Sequence, residues 1–104
     1  MKIEIKARFV GAVLFSHEAE ENSIKITLEA GVKAGAYLAG ADLAGANLAG
    51  ANLALADLAG VNLAGANLAG AYLEGAKLDR AKLDGDNLDG SNLAGASYGE
   101  GIEI

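Results

Sequence analysis

The chain has 104 residues, a net charge of −6, and no Cys, Pro or Trp. That length suits one small domain. The missing Cys exclude disulfides and thiolate metal sites, and the acidic balance argues against nucleic acid as a direct ligand, since phosphate binding needs a basic surface. The hydrophobic fraction of 52% is mostly Ala and Leu. A compact globule of this size has a marginal core, a limit that a repeat fold partly escapes because each unit needs only its neighbours.

Residues 1–35 do not repeat. Lys2 to Phe9 alternates charged and apolar residues like a strand, Val10-Gly11 marks a turn, and Ala12 to Phe15 reads as a second strand, which predicts a hairpin. The opening residues carry no apolar stretch of the secretory type, so a cytoplasmic location is expected. The acidic run Glu18 to Glu21 suits a helix N-terminus. Ile24, Leu28 and Val32 follow at i, i+4 and i+8, with Gly35 as a stop, which predicts a helix over residues 20–34. The alternation Ile24-Lys25-Ile26-Thr27-Leu28 competes with that reading as a strand.

Residues 36–95 are twelve tandem pentapeptides, from Ala36-Tyr37-Leu38-Ala39-Gly40 to Ser91-Asn92-Leu93-Ala94-Gly95. The third position is always Leu. The first is Ala except for Val61, Asp86 and Ser91, and the fifth is Gly except for Leu55 and Arg80. On an α-helix successive Leu would rotate by about 140° and form no stripe. On a flat strand an odd period would send them to alternate faces. The pattern requires a bend in every repeat, with Leu pointing inward and Gly taking the φ > 0 position of a type II turn. Leu55 and Arg80 are therefore expected to adopt a different turn. Residues 43–73 are apolar enough to suggest a membrane span, but Asn47, Asn52, Asp57, Asn62 and Asn67 would surround such a helix on every side. No membrane association is expected.

Units such as Ala41-Asp42-Leu43-Ala44-Gly45 resemble the pentapeptide-repeat family. The resemblance implies an all-β solenoid, a right-handed quadrilateral β-helix in which four repeats form one square coil. Twelve repeats then make about three coils, in a rod about 14 Å long at the spacing of parallel strands. The expected organisation is a small α+β N-terminal cap (residues 1–35), the β-helix (36–100) and a C-terminal tail (101–104). Asn47, Asn67 and Asn87 should form one outward column, in which stacked amides can bond to one another. The hairpin, helix and repeats in that order also resemble uncharacterised phage and bacterial members, which commonly continue into a further domain. The stop after Gly101-Ile102-Glu103-Ile104 therefore reads as a truncation, and the near-uniform Ala-Leu-Ala-Gly filling reads as an engineered consensus.

No residue set points to catalysis, a cofactor or a metal. Ser16-His17-Glu18 contains the letters of a hydrolase triad, but adjacent residues do not converge like one, and a surface or hairpin His is the better reading. The G-x-x-x-x-G spacings are generated by the period and no Gly-Lys-Ser/Thr follows. Asp79, Asp84 and Asp89 fall on different sides of one coil among Lys77, Arg80 and Lys82, which describes a solvated rim. Asp86 takes an inward-facing position, where an ionised carboxylate is costly unless the open end of the solenoid solvates it. Tyr37, Tyr72 and Leu55 are large and outward, a docking surface on one reading and ordinary surface residues on the other.

The expected function is a non-catalytic structural or interaction scaffold. The resemblance carries one alternative, a DNA-mimicking inhibitor of a type II topoisomerase. Residues 36–70 hold only Asp42 and Asp57 as charges, which is thin for mimicry. The protein partner is not specified by the sequence, apart from a second copy. The apolar end of the last coil predicts a homodimer through residues 81–104, opposed by the like charges of Asp84, Asp86, Asp89, Glu100 and Glu103.

Overall fold

The computed structural model describes residues 1–98. Strands β1 (Lys2–Lys6) and β2 (Val13–Glu18) form the hairpin, antiparallel, with Lys2 opposite Glu18 and Ile5 opposite Phe15. A bulge between Ile5 and Lys6 shifts the register before the turn. Alternation decides which side is buried: Ile5 is inside, while Lys2, Glu4 and Lys6 face water.

Residues 24–28 are helical. Helix α1 spans Ile24–Lys33, shorter at its start than the sequence suggested. Ser23 caps it, its Oγ accepting from the Ile26 N–H at 3.1 Å. No acidic residue lies in the first turn, because Glu20 and Glu21 precede the cap. A local side-chain cap outweighed the weaker attraction of acids for the helix dipole. The helix buries Thr27, Leu28 and Gly31. Gly31 permits close approach to β2, since a Cβ there would stand 3.1 Å from the Phe15 ring.

From Asp42 onward the chain coils with a pitch of twenty residues. Parallel bridges join Asp42 to Asn62 to Lys82, Asn47 to Asn67 to Asn87, Asn52 to Tyr72 to Asn92, and Asp57 to Lys77 to Ser97. Four bridge columns twenty residues apart define four sides. The Leu ladder is the core. Each third-position Leu from Leu38 to Leu78 is at most 2% exposed, Leu83 is 5% exposed, and Leu88 and Leu93 are only partly buried at the C-terminal end.

The backbone accounting explains why five residues suffice. The position-one N–H closes the turn, as in Ala46 to the Leu43 carbonyl at 3.0 Å. The position-two N–H bonds to the preceding coil (Asn62 to the Ala41 carbonyl, 2.9 Å), and the position-three and position-five N–H groups bond to the following coil (Leu43 to Asn62, 2.7 Å; Gly45 to Ala64, 2.8 Å). The position-four N–H has no coil partner and goes to the Asx side chain of its own repeat, as in Ala69 to Asn67 Oδ1 at 3.0 Å. Every donor of such a repeat is satisfied, as buried backbone requires.

Two expectations are corrected here. Asn47, Asn67 and Asn87 do form one outward column, but their carbonyl oxygens accept from their own repeats and do not bond along the column. The nearby N–H two residues on is the closer donor, the usual Asx-turn competition. One rung bond of the expected kind exists, between Asn62 Nδ2 and Asp42 Oδ1 at 3.4 Å.

Leu55 and Arg80 keep the left-handed turn of the Gly corners, at φ 64° and 61°. The rung bonds beside them (Leu55 N–H to Glu74 carbonyl; Gly60 N–H to Asp79 carbonyl, both 2.8 Å) match those at Gly corners. The stack imposes the turn, and the side chain bears the strain. Leu55→Gly is therefore expected to stabilise the protein by about 1 kcal/mol, the left-handed penalty less the entropy cost of Gly. An unchanged or lowered denaturation midpoint would refute the strain.

The hairpin and helix lie across the N-terminal edge of the coil. Ala7 bridges Ala41 antiparallel, the Arg8 N–H bonds to the Gly40 carbonyl at 2.8 Å, and the Asp42 N–H bonds to the Lys6 carbonyl at 2.7 Å. Glu29 of α1 supplies Oε2 to the Asn52 N–H at 2.8 Å, replacing the carbonyl that a preceding coil would offer.

Candidate functional site

The residues singled out in the sequence do not converge. Ser16 and Glu18 are exposed on one face of β2, and His17 is half-buried on the other. Glu18 pairs with the Met1 ammonium at 3.0 Å. Asp79 accepts from the Ser97 hydroxyl. No group of three His, Asp or Glu among the described residues is placed to hold a metal ion. No helix among them is long and apolar enough to cross a membrane.

Asp86 is an acid whose burial perturbs it. Its Oδ1 accepts from the Ala66 N–H at 3.0 Å, while Oδ2 is buried with no partner among the described residues. Burial raises its pKa to about 6, with Asp84 adding to the rise and the bonds to Ala66 and Gly65 opposing it. The folded state therefore holds a proton that the unfolded state releases between pH 3.8 and about 6. Its contribution is greatest below pH 3.8 and is lost as pH rises through 6. Since Ala66 N–H also bonds to the Leu63 carbonyl at 2.8 Å, the carboxylate is dispensable. Asp86→Ala is expected to stabilise the protein at pH 7 by on the order of 1 kcal/mol after solvent screening, and not at pH 3.5. Equal effects at both pH values would contradict the burial.

Tyr37, Tyr72 and Leu55 are 73%, 52% and 81% exposed. Leu55 stands on the rim of an open groove of ≈ 670 Å³ between the end of α1 and the first repeats, with Val32, Leu38 and Ala56 as apolar lining and Glu29, Lys33 and Asp57 as charges. Sequence reasoning missed this groove. It arises where residues 36–38 leave the helix and fail to close on residues 56–58, and periodicity carries no signal for that.

Four columns at a twenty-residue pitch around a Leu core define a four-sided β-solenoid. The family model for pentapeptide repeats matches residues 34–68 and 56–95, in eight copies. The chain belongs to the pentapeptide repeat family, whose fold is the right-handed quadrilateral β-helix. It is similar to the crystal structure of Rfr23, a pentapeptide repeat protein from the cyanobacterium Cyanothece 51142, at 40% identity and TM-score 0.59, over 60% of this chain and 42% of that one. It also matches HetL, a pentapeptide repeat protein involved in heterocyst differentiation regulation in Nostoc sp. strain PCC 7120, at 33% identity and TM-score 0.21, over 61% of this chain and 38% of that one. The chain thus spans less than half of either protein. No curated protein matches it.

Proposed function

We propose that this chain is a non-catalytic interaction scaffold. On this reading residues 36–100 form about three coils, and residues 1–35 close the N-terminal end. The observation that carries the reading is the hydrogen-bond economy of the repeat. The N–H groups of positions one, two, three and five bond within the backbone, so the outward second positions stand in columns at coil spacing and vary among Asn, Asp, Tyr and Lys, the Asn and Asp adding the bond to the position-four N–H. Such rigid, solvent-facing arrays suit recognition by surface. The test is incubation of the purified protein with ester, phosphoester and glycoside substrates. The expected result is no turnover that follows the protein through purification. A rate abolished by Asp86→Asn would overturn the scaffold reading.

Nothing in the structure favours topoisomerase inhibition, and a supercoiling assay is expected to show none. The homodimer belongs to the same proposal. Leu88 and Leu93 are only half-covered at the C-terminal end, which gives a second copy an apolar surface. The expected share of Ile102 and Ile104 in that contact lies outside the described residues. Sedimentation at high salt should show mass rising with concentration; a constant monomer mass would remove the dimer.

A further inference from the structure

The coil is opened by one rung where the chain enters it. On the neighbouring side, the Asn62 N–H reaches the Ala41 carbonyl and the Leu43 N–H reaches the Asn62 carbonyl. The equivalent bonds, Asp57 N–H to Ala36 carbonyl and Leu38 N–H to Asp57 carbonyl, are not made. Ala36 instead donates to the Gly31 carbonyl at 2.9 Å, which holds it against the helix end. The carbonyls of Asn52 and Ala54, one corner earlier, also have no partner among the described residues, because α1 occupies the place of a preceding coil. Unpaired edge groups therefore flank the Leu55 corner, the Asn52 and Ala54 carbonyls before it and the Asp57 N–H and carbonyl after it, along the groove already described.

We propose that this groove binds a short extended segment of a partner protein, which adds to the free edge as a strand. This rests on the reading of the chain as a scaffold and names the kind of partner. Three features specify the occupant. Free edge carbonyls and the Asp57 N–H require backbone donors and an acceptor in β conformation, the mode of strand addition. Val32 and Leu55 require an apolar side chain on the inward face. Glu29 and Asp57 against Lys33 leave one net negative charge, so the flanking residues are cationic. Glu29 already holds the Asn52 N–H, which fixes one end of the edge and stops the segment there.

The probe is the synthetic peptide acetyl-Lys-Val-Lys-Val-Lys-amide, followed by amide chemical shifts of the full chain. At about 1 mM peptide, signals of residues 52–58 and of Leu38 are expected to move. The same peptide N-methylated at its edge-facing amides, and an acidic counterpart with Glu for Lys, should each bind about tenfold more weakly. Leu55→Gly, which removes the apolar rim at an exposed corner, should weaken binding by a similar factor while the melting temperature holds or rises. Tyr72→Ser should leave binding unchanged. No shifts at that concentration, or equal binding by the N-methylated peptide, would overturn the proposal. So would concentration-dependent shifts at the groove without peptide, which would assign it to a second copy. Shifts confined to the second-position columns would overturn the groove and leave the scaffold reading standing, whereas protein-dependent turnover would overturn the scaffold reading itself.

Discussion

Leu68→Ala is expected to lower stability by about 2–5 kcal/mol, towards the upper end of that range. Leu68 is fully buried in the ladder that includes Leu48 and Leu88. Its N–H is held by the Asn87 carbonyl at 2.8 Å, and its carbonyl accepts from the Ala71 N–H at 3.0 Å. A backbone pinned on both sides relaxes poorly around a cavity, so the lost contacts are not recovered. Leu93→Ala is the internal comparison. Leu93 is only partly buried, and its deletion is expected to cost less than half as much. A mid-solenoid defect also weakens the interface between neighbouring coils, so the Leu68 variant should lose cooperativity as well as midpoint. Denaturant unfolding followed by circular dichroism measures both. Comparable losses at Leu68 and Leu93 would contradict a core that gains its stability from stacking on two sides.

The Leu core was legible because period five leaves little choice. It fits neither a helix stripe nor a strand face, so every Leu must sit after a bend and point the same way. The outward columns were legible for the same reason. Less legible was which partner each polar group would take. Asn67 has a donor in its own repeat and another amide one coil away. The pattern is identical in both cases, and only local geometry shows that the Ala69 N–H wins. Leu55 and Arg80 show the converse. Their types argue against φ > 0, yet neighbouring rungs fix the turn whatever the side chain. The groove lay beyond the sequence altogether, since it depends on how residues 36–38 leave α1. The proposed binding edge likewise rests on two hydrogen bonds that are not made, which no residue type announces.

Asn22→Ala is expected to cost about 2–3 kcal/mol, although no sequence signal marks Asn22. Its Nδ2 donates to the His17 carbonyl at 2.7 Å and to the Met1 carbonyl at 3.1 Å. Its Oδ1 accepts from the Ser23 N–H at 2.9 Å and from the Thr27 hydroxyl at 3.0 Å. One side chain thereby ties both strands of the hairpin to the first turn of α1. Thr27 is fully buried, so its hydroxyl loses its side-chain partner where water does not replace it, a penalty of about 1–3 kcal/mol. The remaining bonds are partly exposed and add less. If that account holds, Thr27→Val should be tolerated better in the Asn22→Ala background than alone, because the orphaned hydroxyl goes with it. A double-mutant cycle measures that coupling. The damage should also be local: amide exchange should quicken through β1, β2, α1 and the Asp42 and Asn52 N–H groups that the N-terminal elements hold, while Leu58 to Leu78 stay protected. Additive single effects with uniform loss of protection would show that Asn22 acts on the whole solenoid and not on the joint between hairpin and helix.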